Sequence, residues 1–286
     1  MRFVLWIVAA MIAAAVGFAG WVWFASEAHL KSFADPPAFA AAIPTDPASL
    51  ARGRHLAVTR GCTGCHGKQL QGDTAGGGPM MGQNVAPNLA RMAREQAPAS
   101  FERALRHGIG HDGRALYSMP AFNFVRMTDS DVAALIGYLR SAPVVEAKLP
   151  KPFLDWKIRY ALATGADAAV PVFVKQTPPL TFQADPDPAV RRGEYLAMTS
   201  CNECHGFGLR GDNPFDPPGK APPDLIMVAA YDKADFVTLM RTGKATGNRE
   251  LRLMSEVARG RFSHFTDQEV DELYAFFGAL EKRANP

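Results

Sequence analysis

Two short stretches of the chain have the residue types and spacing to hold a metal cofactor covalently. They are Cys62-Thr63-Gly64-Cys65-His66 and Cys201-Asn202-Glu203-Cys204-His205. The pattern C-x-x-C-H is typical of the attachment of a c-type haem. Two thiols three positions apart lie on one face of a helical turn, where both can bond to the vinyl groups of one porphyrin, and the next imidazole can bind the iron. We therefore expect two covalently bound haem c groups, with His66 and His205 as iron ligands.

Two other chemistries use a C-x-x-C spacing, namely a structural zinc site and a redox-active disulfide. Zinc needs four ligands that close one tetrahedron. Neither chemistry explains why a His follows the second Cys in both copies. Haem attachment is the better interpretation.

The chain begins with a long apolar stretch. Between Arg2 and Ser26, residues Phe3 to Phe24 carry no charge, and about 20 apolar residues suffice for a helix to cross the hydrocarbon core of a bilayer. A cleaved signal peptide is the alternative, but its apolar region is about 7–15 residues long. We predict an uncleaved anchor over residues 1–25, with the N-terminus inside and the rest of the chain outside the membrane.

The two motifs belong to a longer internal repeat that covers about 45–142 and 186–283. The same residue types recur in the same order around each motif. The matched pairs are Arg52-Gly53 with Arg192-Gly193, Leu56-Ala57 with Leu196-Ala197, Leu70-Gln71-Gly72-Asp73 with Leu209-Arg210-Gly211-Asp212, Pro87-Asn88-Leu89 with Pro223-Asp224-Leu225, Phe101 with Phe236, and Thr128-Asp129 with Thr266-Asp267.

Each repeat unit is predicted to be mostly helical. A first helix begins at Asp46-Pro47 or Asp187-Pro188, because an N-cap residue is followed by proline. A short helix is predicted over 99–107 and 233–242, and glycine follows each. The last helix begins at Thr128 or Thr266; Thr266-x-x-Glu269 is a capping box, whereas Thr128-x-x-Asp131 has Asp where Glu or Gln is usual.

These units resemble class I cytochrome c domains, in which a terminal helix crosses the first one and the haem lies between them. The resemblance implies an all-α fold with two tandem domains after a single N-terminal transmembrane helix. The predicted organisation is an anchor over 1–25, a tether over 26–44, a first cytochrome c domain over 45–142, a proline-rich linker over 143–185 and a second cytochrome c domain over 186–286.

A second axial ligand usually closes a low-spin haem, and methionine is one of the common choices. Several methionines and histidines are candidates: Met80, Met81, Met92, Met119, Met127, His107 and His111 in the first unit, and Met227, Met240, Met254 and His264 in the second. Only Met119 and Met254 coincide in the aligned units, each 18 residues after the matched Phe. Both precede the last helix, where the class I family places its axial Met, so we predict Met119 for the first iron and Met254 for the second.

The family also suggests how the iron-binding imidazoles are oriented. A ligating His usually donates its other N–H to a carbonyl or carboxylate, and in cytochromes c the acceptor is a backbone carbonyl at a proline. Pro87 and Pro223 match that position. The alternative is that these prolines only stiffen a turn.

The linker over 143–185 has the proline density of a semi-rigid spacer. One piece of it, Phe153 to Thr164, is predicted to form a helix that packs across the two haem domains. We expect Phe153, Trp156, Tyr160 and Leu162 to be its buried residues.

We interpret the chain as a membrane-tethered dihaem electron carrier rather than an enzyme, because a His/Met iron leaves no free position for substrate. It resembles dihaem respiratory cytochromes c and the cytochrome subunits of membrane-bound dehydrogenases. The expected partners are a dehydrogenase subunit, an oxidase or a small cytochrome, and the expected location is the periplasmic side of a bacterial inner membrane. The net charge is only +3, and no basic run with interleaved aromatics suggests nucleic-acid binding. The alternatives are a dihaem peroxidase-like enzyme with one open haem site and, with less support, a haem-based sensor.

Overall fold

The computed structural model describes residues 2–74, 77–78, 82–212 and 221–284. Helices dominate this part of the chain and are numbered in chain order. They are α1 (Arg2–Leu30), α2 (Pro47–Thr59), α3 (Cys62–Cys65), α4 (Leu89–Glu95), α5 (Pro98–His107), α6 (Asp129–Ser141), α7 (Trp156–Thr164), α8 (Val170–Gln176), α9 (Pro188–Met198), α10 (Asn202–His205), α11 (Lys233–Thr242), α12 (Leu253–Gly260) and α13 (Asp267–Ala284).

Short irregular elements complete the two repeat units. Two antiparallel hairpins pair β1 (Gly77–Gly78) with β2 (Gly82–Gln83) and β3 (Lys244–Ala245) with β4 (Arg249–Glu250). Three 3₁₀ helices cover Ala121–Asn123, Leu225–Ala230 and Phe262–His264. The predictions of a mostly helical fold and of two similar helical units are therefore confirmed.

The first and last helices of each unit cross at a glycine. A β-carbon added to Gly53 on α2 would overlap the carbonyl oxygen of Ala134 on α6. Gly193 on α9 meets the carbonyl of Glu272 on α13 in the same way. The backbones approach this closely because glycine has no side chain, and the Arg-Gly pair of the repeat therefore marks the crossing point.

Helix caps match the sequence signals and also show where the two units differ. Asp46 Oδ1 accepts from the backbone N–H of Ser49 at 2.9 Å, and Asp187 Oδ1 accepts from Ala189 N at 2.8 Å. At α13 the capping box is complete, because Thr266 and Glu269 each cap the backbone of the other. At α6 only the Thr128 half forms, because the shorter Asp131 carboxylate points to other partners.

The segments around the first unit are packed rather than extended. Helix α1 continues to Leu30, beyond the predicted anchor boundary, and Leu30 accepts a backbone hydrogen bond from Ala115 N at 2.7 Å. Phe39, within the predicted tether, lies in the core of the first unit. The predicted boundaries of anchor, tether and linker remain predictions, but residues 26–44 pack against the first domain instead of forming a free tether.

The predicted linker helix forms, although its buried face was predicted wrongly. Helix α7 lies beside α1 instead of bridging the two haem domains. Leu162 is buried, but Phe153, Trp156 and Tyr160 are 61%, 46% and 45% exposed. The buried side of α7 is formed instead by Ile158 and Leu162, which pack with Leu30.

Candidate haem-binding sites

Each C-x-x-C-H motif forms a tight turn at the end of the first helix of its unit. Helix α2 ends at Thr59, Gly61 turns the chain with a φ of 79°, and α3 then carries Cys62 and Cys65. No disulfide joins any of the four cysteines, all of which lie in the described part of the chain. Burial raises the pKa of Cys62 to about 11 and that of Cys201 to about 12.

No bare-metal site competes with the haem interpretation. Within 2–74, 77–78, 82–212 and 221–284, no three side chains among His, Cys, Asp and Glu come together in a way that could hold a metal ion. Each domain instead contains one motif with two thiols and one imidazole, as the attachment of one porphyrin to each turn requires.

The imidazole of each motif is oriented by a proline carbonyl. His66 Nδ1 lies 2.8 Å from the carbonyl oxygen of Pro87, and His205 Nδ1 lies 2.8 Å from that of Pro223. A ring that donates from Nδ1 presents Nε2 to a metal. His66 is 6% exposed, and burial lowers its pKa despite the hydrogen bond to Pro87, which acts in the opposite direction. The predicted Pro87 and Pro223 contacts are therefore present.

The loop that follows each motif has the same backbone in both units. Leu70 and Leu209 are buried with φ values of 60° and 59°, an unusual conformation for leucine. Each leucine carbonyl accepts from the N–H of the residue two positions after the orienting proline, at 3.0 Å from Leu89 and 2.9 Å from Leu225. The two loops thus fix the proline carbonyls against the imidazoles.

Comparison with known proteins agrees with this geometry. The cytochrome c family profile matches residues 50–143 and 190–281, which together make up well over half of the chain. This chain belongs to the cytochrome c family. Each matched stretch contains one complete motif and its imidazole.

Several curated proteins are similar to this cytochrome. The fructose dehydrogenase cytochrome subunit of Gluconobacter japonicus is 26% identical over 280 residues, which cover 85% of this chain and 56% of that protein. The alcohol dehydrogenase (quinone) cytochrome c subunit of Gluconobacter oxydans is 26% identical over 257 residues, or 79% and 53% of the two chains. The gluconate 2-dehydrogenase cytochrome c subunit of Pantoea cypripedii is 31% identical over 168 residues, or 54% and 37%.

The chain spans about half the length of the first two of these relatives. All three are cytochrome subunits of dehydrogenases by name, so they give no support to the peroxidase-like alternative.

The predicted axial methionines both lie half-buried against the core of their own domain. Met119 packs against the first core and is followed by Pro120 and a 3₁₀ turn. Met254 packs against the second core, but it lies in the first turn of α12 rather than in a loop. Arg252, two residues earlier, has a φ of 49°, which marks a sharp change of chain direction before Met254.

The structure weakens most rival ligands. His111, Met227 and His264 are exposed, and His107 Nε2 lies 3.2 Å from Glu102 Oε1. Met127 and Met240 are fully buried core residues, whereas Met92 is partly buried against the first core, as Met119 is. Met80 and Met81 lie outside the described residues.

One arginine links the two motifs of this cytochrome. Arg261 Nη1 donates to Glu203 Oε2 at 3.1 Å, inside the second motif. Its guanidinium also lies against Gly61, the residue before Cys62, where an added β-carbon would be 2.5 Å from Cζ. The two attachment turns therefore face each other across one side chain. No sequence signal pointed to Arg261, because it has no counterpart in the repeat.

A second arginine is buried at the same interface. Arg60 is 1% exposed, and Nη1 donates to Thr59 Oγ1 at 3.0 Å. Its Cζ lies 5.7 Å from the ring centroid of Phe265 in the other domain. Burial lowers the pKa of Arg60 to about 10. Nε and Nη2 of Arg60, like those of Arg261, have no hydrogen-bond partner within the described part of the chain.

Reciprocal hydrogen bonds join the domains next to Arg60. His55 of the first domain lies 2.8 Å from Glu269 Oε2 of the second. Tyr195, which occupies the position in α9 that His55 occupies in α2, donates to Asp131 Oδ2 of the first domain at 2.5 Å. Arg52 donates to both carboxylates. The pair of domains is therefore related by an approximate two-fold arrangement of contacts.

These contacts determine the ionisation of the interface carboxylates. Burial alone would raise the pKa of Glu269, but hydrogen bonds from His55 and the Thr266 backbone lower it to about 2. Burial alone would also raise the pKa of Asp131, but hydrogen bonds from Arg52 and Tyr195 lower it. Both carboxylates are therefore charged at neutral pH.

Proposed function

We propose that this cytochrome is a membrane-tethered dihaem subunit that carries single electrons from a dehydrogenase towards a terminal acceptor. Two haem c groups would be held, the first by Cys62, Cys65, His66 and Met119. The second would be held by the matched residues of the other domain, namely Cys201, Cys204, His205 and Met254. The iron of each would supply one-electron oxidation and reduction.

The observation that carries this proposal is the pair of identical imidazole contacts. Each motif histidine donates from Nδ1 to a proline carbonyl at the same distance of 2.8 Å. A histidine held in this way is ready to bind iron, and the equal geometry favours the same histidine ligation in both domains. An enzyme with one open site would differ on the opposite side of one haem, where Met119 and Met254 are proposed to bind.

The surrounding protein fits a role in electron transfer rather than in substrate binding. Met119 and Met254 each pack against the hydrophobic core of their own domain. The attachment turns lie close together because Arg261 contacts both. Close spacing of two shielded cofactors is what a protein needs to pass electrons from one domain to the other.

The dehydrogenase partner and the membrane location come from the relatives and from α1. The relatives are cytochrome subunits of fructose, alcohol and gluconate dehydrogenases. Helix α1 is 29 residues long and is the one helix of the described chain that is apolar enough to cross a bilayer. We infer a single-pass anchor in a bacterial inner membrane with the haem domains on the periplasmic side.

A pyridine haemochrome assay tests the cofactor count. Wild-type protein from a host that matures c-type cytochromes should contain two haems per chain. Cys201→Ala together with Cys204→Ala should leave one, and the matched pair Cys62→Ala with Cys65→Ala should leave the other. Two haems in either double variant would overturn the assignment.

Spectroscopy and turnover test the coordination. The ferric absorption band that marks methionine ligation should account for two haems per chain. A stable high-spin fraction, or turnover of hydrogen peroxide by the purified protein, would support the peroxidase-like alternative instead.

A further inference from the structure

An exposed aromatic face lies at the beginning of α7. It consists of Phe153, Trp156 and Tyr160, and each of these side chains is between 45% and 61% exposed. Large aromatic side chains of soluble surfaces are usually more buried than this, whereas Trp and Tyr are enriched where protein meets the membrane–water boundary.

Contacts with α1 show how deep this aromatic face lies relative to the apolar run of that helix. The ring of Phe18 lies 6.4 Å from that of Trp156 and 6.1 Å from that of Tyr160, measured between centroids. Phe18 lies inside the uncharged run that ends at Phe24. At 1.5 Å per residue, Phe18 is about 9 Å before that end along the helix axis. Trp156 and Tyr160 therefore lie beside the outer part of the apolar segment.

The polar contacts of α7 show that it runs parallel to α1 and leaves the membrane. Arg159, one turn after Trp156, places its Cζ 3.6 Å from the ring centroid of Trp23 and donates to Glu27 Oε1 at 2.9 Å. Leu162 packs against Leu30, further along. The first turn of α7 thus lies at the level of the apolar run, and its last turn lies beyond the charged end of α1.

Charge around the aromatic face favours an anionic lipid surface. Lys148, Lys151 and Lys157 are exposed on the segment that carries the aromatic face. Asp155 is used as the N-cap of α7, where it accepts from Ile158 N at 2.8 Å. Amphipathic helices with aromatic and basic side chains bind at the headgroup boundary.

We propose that the aromatic face is a second membrane contact of this protein, inserted into the headgroup region of the same bilayer that holds α1. This inference rests on the proposed anchor role of α1. Phe153 also exchanges backbone hydrogen bonds with Gln83 at 3.0 and 3.1 Å. The contact therefore fixes the first haem domain against the membrane surface instead of leaving it on a flexible stalk.

Single labelled cysteines in lipid nanodiscs test the proposal on the full chain. The haem-bound cysteines are thioethers, so wild-type protein should take up no thiol-reactive fluorophore. The variants are Met11→Cys in the span, Trp156→Cys and Tyr160→Cys on the aromatic face, Thr164→Cys at the far end of α7, and Glu256→Cys on the second domain. Each is labelled with an NBD fluorophore in nanodiscs that contain phosphatidylglycerol.

Quenching by lipids with a nitroxide on the acyl chain reports depth. Emission relative to nitroxide-free nanodiscs should fall strongly at residue 11, by about two-fold at 156, by less at 160 and by under about 10% at 164 and 256. The ratio cancels any quenching by haem. Quenching at 156 equal to that at 164 would overturn the proposal and would leave the face for a protein partner.

The same set separates this inference from the proposed function. Absence of quenching at residue 11 would contradict the membrane anchor itself. Uptake of label by wild-type protein would contradict haem attachment. A measurement without substitutions completes the test, because photoactivated diazirine phosphatidylcholine should label the peptide that contains Trp156 in wild-type protein. Labelling confined to α1 would count against the aromatic face.

Discussion

The two cytochrome c domains use almost the same parts to hold a cofactor and different parts to meet their surroundings. The motif turn, the loop leucine, the proline carbonyl and the glycine crossing coincide in the two domains. The axial-ligand segments and the first turns of α6 and α13 do not. The repeat is therefore conserved between the domains on the cysteine and histidine side of each expected haem, whereas the domains differ on the methionine side and where they contact each other.

The first turns of α6 and α13 show how the length of one carboxylate side chain decides whether it caps its own helix as well as joining the domains. Glu269 caps its own helix and binds His55 of the other domain. Asp131 is one methylene shorter, does not cap its helix in return, and binds Arg52 and Tyr195. Each carboxylate joins the domains, but only Glu269 also stabilises its own helix.

The helix crossings should be the most sensitive shared feature. Gly193→Ala places a β-carbon against the Glu272 carbonyl, and we expect the second domain to lose at least about 3 kcal/mol of unfolding free energy. Gly53→Ala should do the same to the first domain. Thermal unfolding and haem content measure the loss.

Gly278→Ala on α13 is the matched control, since a β-carbon there meets no atom within 4 Å. It should leave stability unchanged or raise it by about 0.5–1 kcal/mol. Equal loss in all three variants would contradict the crossing model.

The axial-ligand segments provide the next test, because they differ most between the domains. Met119→Ala should open the first haem to carbon monoxide while both haems stay attached. Met254→Ala should open the second haem. Difference spectra of the reduced protein with carbon monoxide measure the number of open sites.

A first haem that stays closed in Met119→Ala would point to His107, His111 or a methionine of the 79–81 segment. His264→Ala is a control for the second domain, because His264 is exposed and should not affect coordination.

The interface carboxylates should give a smaller, pH-dependent effect. Glu269→Gln keeps a capping side chain but loses the charged contact with His55, and we expect a loss of about 2 kcal/mol at pH 7. The pKa of Glu269 lies at about 2 in the folded protein and at 4.5 ordinarily. Its contribution is therefore complete above pH 4.5 and is lost as the pH falls towards 2.

Urea unfolding at pH 7 and at pH 3 measures this contribution. The difference between wild type and Glu269→Gln should shrink at the lower pH. Glu269→Ala should be less stable than Glu269→Gln, because it also loses the cap. A difference that is independent of pH would show that the charge of Glu269 contributes little.

Substitution of Arg261 should produce the smallest effect, and it should change the reduction potentials of both domains. Arg261→Gln removes a positive charge beside both attachment turns, so both reduction potentials should fall by tens of millivolts, on the order expected for one charge in a partly screened interior. Arg259→Gln is the control, since Arg259 pairs with Glu250 on the surface. Redox titration of each variant gives the shifts, and a shift at one haem alone would argue against a shared role.

The parts predictable from sequence were those encoded by local chemistry or by the repeat. The motif turns, the Asp46 and Asp187 caps and helix α11 follow from short-range patterns. The proline contacts were implied by the resemblance to cytochromes c. Axial ligation by Met119 and Met254 remains a prediction.

Tertiary contacts between unlike segments could not be predicted in the same way. Arg60 and Arg261 lie at a domain interface that no periodicity of the sequence reveals. The unusual Asp131 of Thr128-x-x-Asp131 belongs to the same interface, because it binds Tyr195 of the other domain. The burial of Trp156 and Tyr160 was predicted from their apolar character alone. That prediction was wrong, because both side chains are about half exposed, on the face of α7 that we propose to contact the bilayer.

Gly61, the residue before the first motif, has a consequence for the rate of electron transfer between the two domains. Because Gly61 has no side chain, the guanidinium of Arg261 can lie between the two attachment turns without pushing them apart. Electron tunnelling slows steeply as the gap between donor and acceptor widens. A single methyl group at position 61 would therefore push the two attachment turns apart. It would slow electron transfer within the molecule without touching iron or porphyrin.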